Sequence, residues 1–226
     1  MSSIKLVPFD PDDSIQVEEL RRQRVLCGWN VDKVDKWREY GRQGLKALFW
    51  VFPADDQESR AKWTSDMPQV DMCNLSPKKE GPPPNPNFRP LGQGSLDWYD
   101  DMGDERLVCR DKKPRRIQIS NLFTLKHLAG RGLGNMILAE LESLASKPPF
   151  DADYVTLNTI DRDLAVDPRH AKRFGWHYDA DARVNQDWYV RKGYTVFERM
   201  VPRYEEKDLE GKLYMHGAAY LEKRIK

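Results

Sequence analysis

Apolar and polar positions divide the chain into recognisable segments. Residues 116–125 alternate roughly with period two and carry Ile117, Ile119, Phe123 and Thr124. That is the pattern of a half-buried strand. Directly afterwards Ile137, Leu141, Leu144 and Ala145 recur at helical spacing, with Met136 and Leu138 widening the stripe. Pro148 and Pro149 cannot continue this helix, so it should stop near Lys147. Residues 153–160 read as a second strand. A right-handed crossover through the helix makes the two strands parallel.

The same reading extends to both ends. Residues 4–9 predict a first strand and residues 10–14 a turn-and-cap cluster. Residues 15–27 predict a helix carrying Val17, Leu20, Val25 and Leu26. Asn30 is placed to cap a second helix over 31–43, with Val34, Trp37 and Tyr40 three apart. Residues 47–52 form a continuous apolar run, as in a strand buried on both faces. Further strands are expected over 91–99, from 194 to 200, and over 212–222. A short helix from 185 should stop at Gly193.

Two stretches break this frame. Residues 53–90 end in a segment too rich in proline for regular structure. Trp63, Met67, Val70 and Met72 suggest that part of it packs on the domain, and it is expected to rim an acceptor site. Residues 161–183 leave the C-terminal end of a parallel strand, where open α/β sheets place ligands. They are dense in Asp, His, Arg and aromatic residues and are expected to face substrate. His170 and His177 have no helix-face spacing for a metal, and none is predicted.

The chemistry begins between strand and helix, where Gly130, Gly132 and Gly134 alternate. A helix start aims free backbone N–H groups at whatever precedes it, and its dipole favours phosphate. Asn135 and Met136 follow Gly134, so the Gly-Lys-Ser/Thr of a P-loop is absent. Ile137 stands where a dinucleotide fingerprint needs its third glycine. The stretch from Ala129 to Gly134 resembles the acyl-CoA loop of the GNAT N-acetyltransferases, Arg/Gln-x-x-Gly-x-Gly/Ala after a strand. Ala129 stands where the family has Arg or Gln, and Lys126 where it often has Pro. A cradle of backbone amides survives both changes, and Arg131 is a candidate replacement cation. Downstream, Tyr189, Gly193 and Tyr194 match the family's aromatic Tyr-x-x-x-Gly-Phe/Tyr, although Ala182 replaces the Asn that often precedes it.

This resemblance implies an α/β fold of GNAT type: a mixed, mostly antiparallel sheet with a central parallel strand pair and flanking helices. One domain is expected over 1–226, with insertions at about 53–90 and 161–183. The implied reaction is direct acetyl transfer from acetyl-CoA to an amine of a small molecule or peptide. The implied cofactor-binding residues are Phe123, Thr124, Ala129, Gly130, Arg131, Gly132, Leu133, Gly134 and Asn135. Tyr189 is the implied acid for the leaving thiolate. The family's usual strand carboxylate is missing, since that strand offers Gln118, Ser120 and Asn121. Asp97, Asp161 and His127 remain as candidate bases, none assigned. The alternative is a noncatalytic CoA-sensing or interaction module on the same fold.

Composition narrows the partners. Across 226 residues, 37 basic and 36 acidic side chains leave a net charge of +1. No field of one sign draws the chain to nucleic acid or an anionic membrane. Three widely spaced cysteines form neither a metal motif nor a disulfide framework, which suits a reducing, cytoplasmic setting. No apolar run approaches membrane length, and a monomer or homodimer is expected.

Overall fold

A computed structural model describes residues 2–74, 79–178 and 184–226. It contains β1 (Ile4–Pro8), α1 (Ser14–Cys27), α2 (Val34–Arg42), β2 (Lys46–Pro53), α3 (Gln57–Thr64), β3 (Gly92–Asp97), β4 (Arg116–Thr124) and α4 (Leu133–Ala145). The chain continues through β5 (Tyr154–Ile160), α5 (Arg162–Ala165), α6 (Pro168–Phe174), α7 (Asn185–Arg191), β6 (Thr195–Lys207) and β7 (Leu213–Arg224). The seven strands form one sheet in the order β1-β2-β3-β4-β5-β7-β6. Every neighbouring pair is antiparallel except β4 and β5, the pair expected to be parallel.

Strand alternation sorts side chains onto two faces. Leu48 and Trp50 of β2 meet Val17 and Leu20 of α1 and Val34 and Trp37 of α2. Phe49 and Val51, on the other face, join Leu133, Ile137, Leu138 and Leu141 of α4. Residues 47–52 are thus buried on both sides. Each such aliphatic side chain contributes about 1.5–3 kcal/mol of burial. On the α1 side the sheet is unusually polar, with Lys46, Gln93, Ser95, Asp97 and Gln118 all buried.

Several local expectations need correction. The helix expected over 31–43 begins as a 3₁₀ turn (Val31–Lys33), and Asn30 adopts left-handed backbone (φ 59°) without capping it. Within 53–90, α3 forms because Asp56 caps it by accepting from the Ser59 amide. β6 runs well past residue 200. Its sequence hid this because it is an edge strand: Pro202 and alternating charges are tolerated where one ladder side is free. The end of the second insertion, with Ala182, lies outside the described residues.

Gly92 fixes how β3 meets β4. A Cβ there would sit 2.1 Å from the Phe123 carbonyl oxygen. Gly92→Ala should therefore destabilise the protein by roughly 1–3 kcal/mol, seen as a lower urea midpoint at unchanged slope.

Candidate functional site

The parallel pair is short. Arg116, Ile117 and Gln118 pair with Tyr154, Val155 and Thr156, and there the ladder ends, although β4 continues to Thr124 and β5 to Ile160. Each strand stays paired on its outer side, β4 to β3 and β5 to β7. A gap lined by strand backbone therefore opens between 119–124 and 157–160. A bulge accompanies the divergence. The register moves from Gln93 opposite Phe123 to Ser95 opposite Ser120, which gives β4 one extra residue. Asn121 takes left-handed backbone (φ 53°) at this point. Such a bulge bends its strand and adds twist, turning β4 away from β5.

The bulge also decides which backbone groups face the gap. The Leu125 amide donates to Leu91 beyond β3. Amides alternate sides along a strand, so the Thr124 amide points the other way, into the gap. Phe123 is turned from it: its side chain is buried and its ring lies under Arg24, 5.4 Å from the guanidinium carbon.

β4 leads through a 3₁₀ turn (Lys126–Leu128) into the glycine loop. The amides of Ala129, Arg131 and Asn135 are used by turn bonds to Lys126, Leu128 and Gly132. Those of Gly130, Gly132, Leu133 and Gly134 have no backbone acceptor among the described residues. Gly130 (φ 78°) and Gly132 (φ 86°) hold left-handed conformations that aim this row of donors, at the positive end of α4's dipole. Arg131 does not stand free over the loop. Its guanidinium donates to the Lys62 carbonyl and covers the Trp63 ring of α3.

The described part of the first insertion packs against the glycine loop and α1. Asp71 pairs with Arg22 of α1 at 2.9 Å and lies 3.2 Å from His127 in the loop.

The downstream aromatic segment meets the loop directly. Trp188 Nε1 donates to Asn135 Oδ1 at 3.0 Å, and its ring lies 3.7 Å from where Gly134 would carry a Cβ. Trp188 was not singled out from sequence, although its neighbour Tyr189 was. The Tyr189 ring packs 4.6 Å from Trp188 and 5.6 Å from Tyr194, against the apolar core on the α4 side. Burial raises the Tyr189 pKa, so its hydroxyl keeps its proton at neutral pH.

Two of the candidate bases, Asp97 and Asp161, are held in ion pairs. Asp97 is buried against Lys46 at 2.8 Å, within a cluster completed by Ser95 and Ser120. Burial pushes the Lys46 pKa down, opposed by the Asp97 charge. Asp161 caps α5 and pairs with Arg199 at 2.6 Å; burial disfavours its charge, but Arg199 and the Asp163 and Met200 amides outweigh that, and its pKa falls. Among the described residues there is no group of His, Cys, Asp and Glu arranged to hold a metal ion.

No protein-family model matches the sequence, and no curated protein matches it. Solved structures do match its shape. The spermidine/spermine N-acetyltransferase SpeG from Vibrio cholerae has a TM-score of 0.53 and 8% identity, over 99% of this chain and 94% of its own. NAA60 from Arabidopsis thaliana, solved with acetyl-CoA, has 0.52 and 13%, over 98% of each chain. An aminoglycoside 6'-N-acetyltransferase complexed with coenzyme A has 0.51 and 10%, over 98% and 97%. The chain has the GNAT fold. Among the described residues no helix is long and apolar enough to cross a membrane.

The Lys46–Asp97 pair is a structural element under β4. Lys46→Met, which leaves Asp97 buried and unpaired, should cost roughly 3–5 kcal/mol. Adding Asp97→Leu should recover part of that loss in the same denaturation assay.

Proposed function

We propose that the protein is an N-acetyltransferase that moves an acetyl group from acetyl-CoA to an amine of a small molecule or peptide, by direct transfer in a ternary complex. One observation carries this reading. The gap between β4 and β5 leads to the glycine loop and the start of α4, where four amides have no backbone acceptor among the described residues. A ligand suited to both is long and narrow, with amide groups to pair with a strand edge and a polyanion at one end. The pantetheine and pyrophosphate of an acyl-CoA have that form.

Each part of the site then has a task. The amides of Gly130, Gly132, Leu133 and Gly134 hold the pyrophosphate. The Thr124 amide bonds the pantetheine along the gap. The bulge at Asn121 lies further into the gap, and a backbone amide there would donate to the thioester oxygen as it gains charge. Tyr189, protonated and lying beside the Trp188–Asn135 contact, supplies a proton to the departing thiolate. An alkyl ammonium with pKa near 10.4 must first lose a proton, which costs about 4–5 kcal/mol at pH 7. The names of the spermidine/spermine and aminoglycoside enzymes describe amine acceptors of their own.

Thiol release should therefore follow acetyl-CoA addition with at least one member of an amine panel. Tyr189→Phe should lower turnover at least tenfold and leave CoA affinity within twofold. Equal turnover in the variant would remove Tyr189 from the mechanism. CoA binding with no turnover on any amine would leave a noncatalytic acyl-CoA module.

A further inference from the structure

The glycine loop has little of its own to hold it. Leu128 before it and Leu133 after it are buried, but Ala129 and Gly130 are exposed. A Cβ built at Gly130 or Gly132 would meet nothing within 4 Å. Among the described residues, the backbone of 126–132 makes hydrogen bonds only within 125–136. Glycine also has the most conformational freedom to lose. Ordering such a loop when a ligand arrives costs affinity unless something holds it beforehand.

Two side chains tie it down, and both reach the first insertion. Arg131 stands between the left-handed glycines, Gly130 and Gly132. Its guanidinium donates to the Lys62 carbonyl and lies over the Trp63 ring, 5.5 Å from the centroid. That wall is firm: Trp63 is fully buried, and its Nε1 donates to the Ser3 carbonyl at 3.1 Å, just ahead of β1.

The second tether precedes the glycines. His127 Nδ1 lies 3.2 Å from Asp71 Oδ1. Asp71 is buried, and that oxygen has no hydrogen-bond partner among the described residues, so it is open to the imidazole. Its other oxygen accepts from Arg22 at 2.9 Å. Arg22 in turn is fixed by two bonds to Glu19, at 2.7 and 2.8 Å. Asp71 is therefore held from behind and faces the turn that leads into the loop.

We propose that Arg131 and Asp71 are positioning residues for the acyl-CoA donor: they hold the glycine loop against the first insertion, in the shape that receives the pyrophosphate. The inference rests on the acetyltransferase reading above, and it gives the stretch from α3 to Asp71 a task in that site. Arg131 acts as a tether and not as a counter-charge to the ligand. A guanidinium is flat, so it covers a ring while donating in its own plane. The ammonium of a lysine has the same charge and lacks that shape. Anchoring this one side chain fixes the turns on both sides of it.

The substitution of arginine by lysine separates shape from charge, with CoA binding measured by calorimetry. Arg131→Lys and Arg131→Gln should each weaken CoA binding at least fivefold, and by factors within twofold of one another. The salt dependence of binding should stay as in wild type, because no charge on the ligand is lost. Asp71→Asn is nearly isosteric. It should raise the KM for acetyl-CoA at least fivefold and leave kcat within twofold, since prior ordering of the loop affects binding and not transfer. The Arg131 variants lie on the loop surface and decide the matter if Asp71→Asn does not fold. Wild-type affinity in Arg131→Lys, with a loss only in Arg131→Gln, would overturn the tether in favour of a charge contact. An unchanged KM in Asp71→Asn would remove Asp71 from the donor site. A wild-type protein that does not bind CoA would overturn the acetyltransferase reading as well.

Discussion

The arrangement depends on one backbone event, the departure of β4 from β5 after three paired residues. A parallel ladder satisfies its backbone groups continuously. Ending it early inside a sheet exposes donors and acceptors that need another partner. Here the cause is local. One extra residue in β4, with Asn121 in left-handed backbone, bends the strand, and Gly92 lets β3 follow closely enough to stay paired. The unpaired edge is the feature a ligand backbone would complete.

Rigidity around the gap comes from different physics on its two faces. On the α4 side, aliphatic packing of Ile137, Leu138 and Leu141 fixes the helix whose first turn carries the free amides. On the α1 side, buried ion pairs do the holding: Lys46 with Asp97, and Arg22 with Glu19 and Asp71. Such pairs add little net stability, but each is costly to break singly. They fix position, and Asp71 carries that constraint from α1 to His127 in the turn before the glycine loop.

Much of this was legible in the sequence because the signals are local. Period-two and helical spacing gave the strand–helix–strand core around β4, α4 and β5, and the alternating glycines marked the loop. Gly130 and Gly132 also hold φ values that other residues rarely adopt. The gap itself was hidden. Nothing in residues 119–124 announces a bulge, because it shows only when β4 is set against β3. Trp188 was likewise invisible, since its meaning is a contact with Asn135 from a distant segment. The tethers of the glycine loop also draw on separate segments. Only the folded chain brings Arg131 to Trp63 and His127 to Asp71.

The central claim is that this gap and loop are the donor site. Hydrogen–deuterium exchange with and without CoA tests it most directly. The account predicts slowed exchange over residues 119–134 and over α7, with α5 and α6 unchanged. Exchange that is unaltered by CoA at 119–134, or protection confined to another part of the chain, would contradict it.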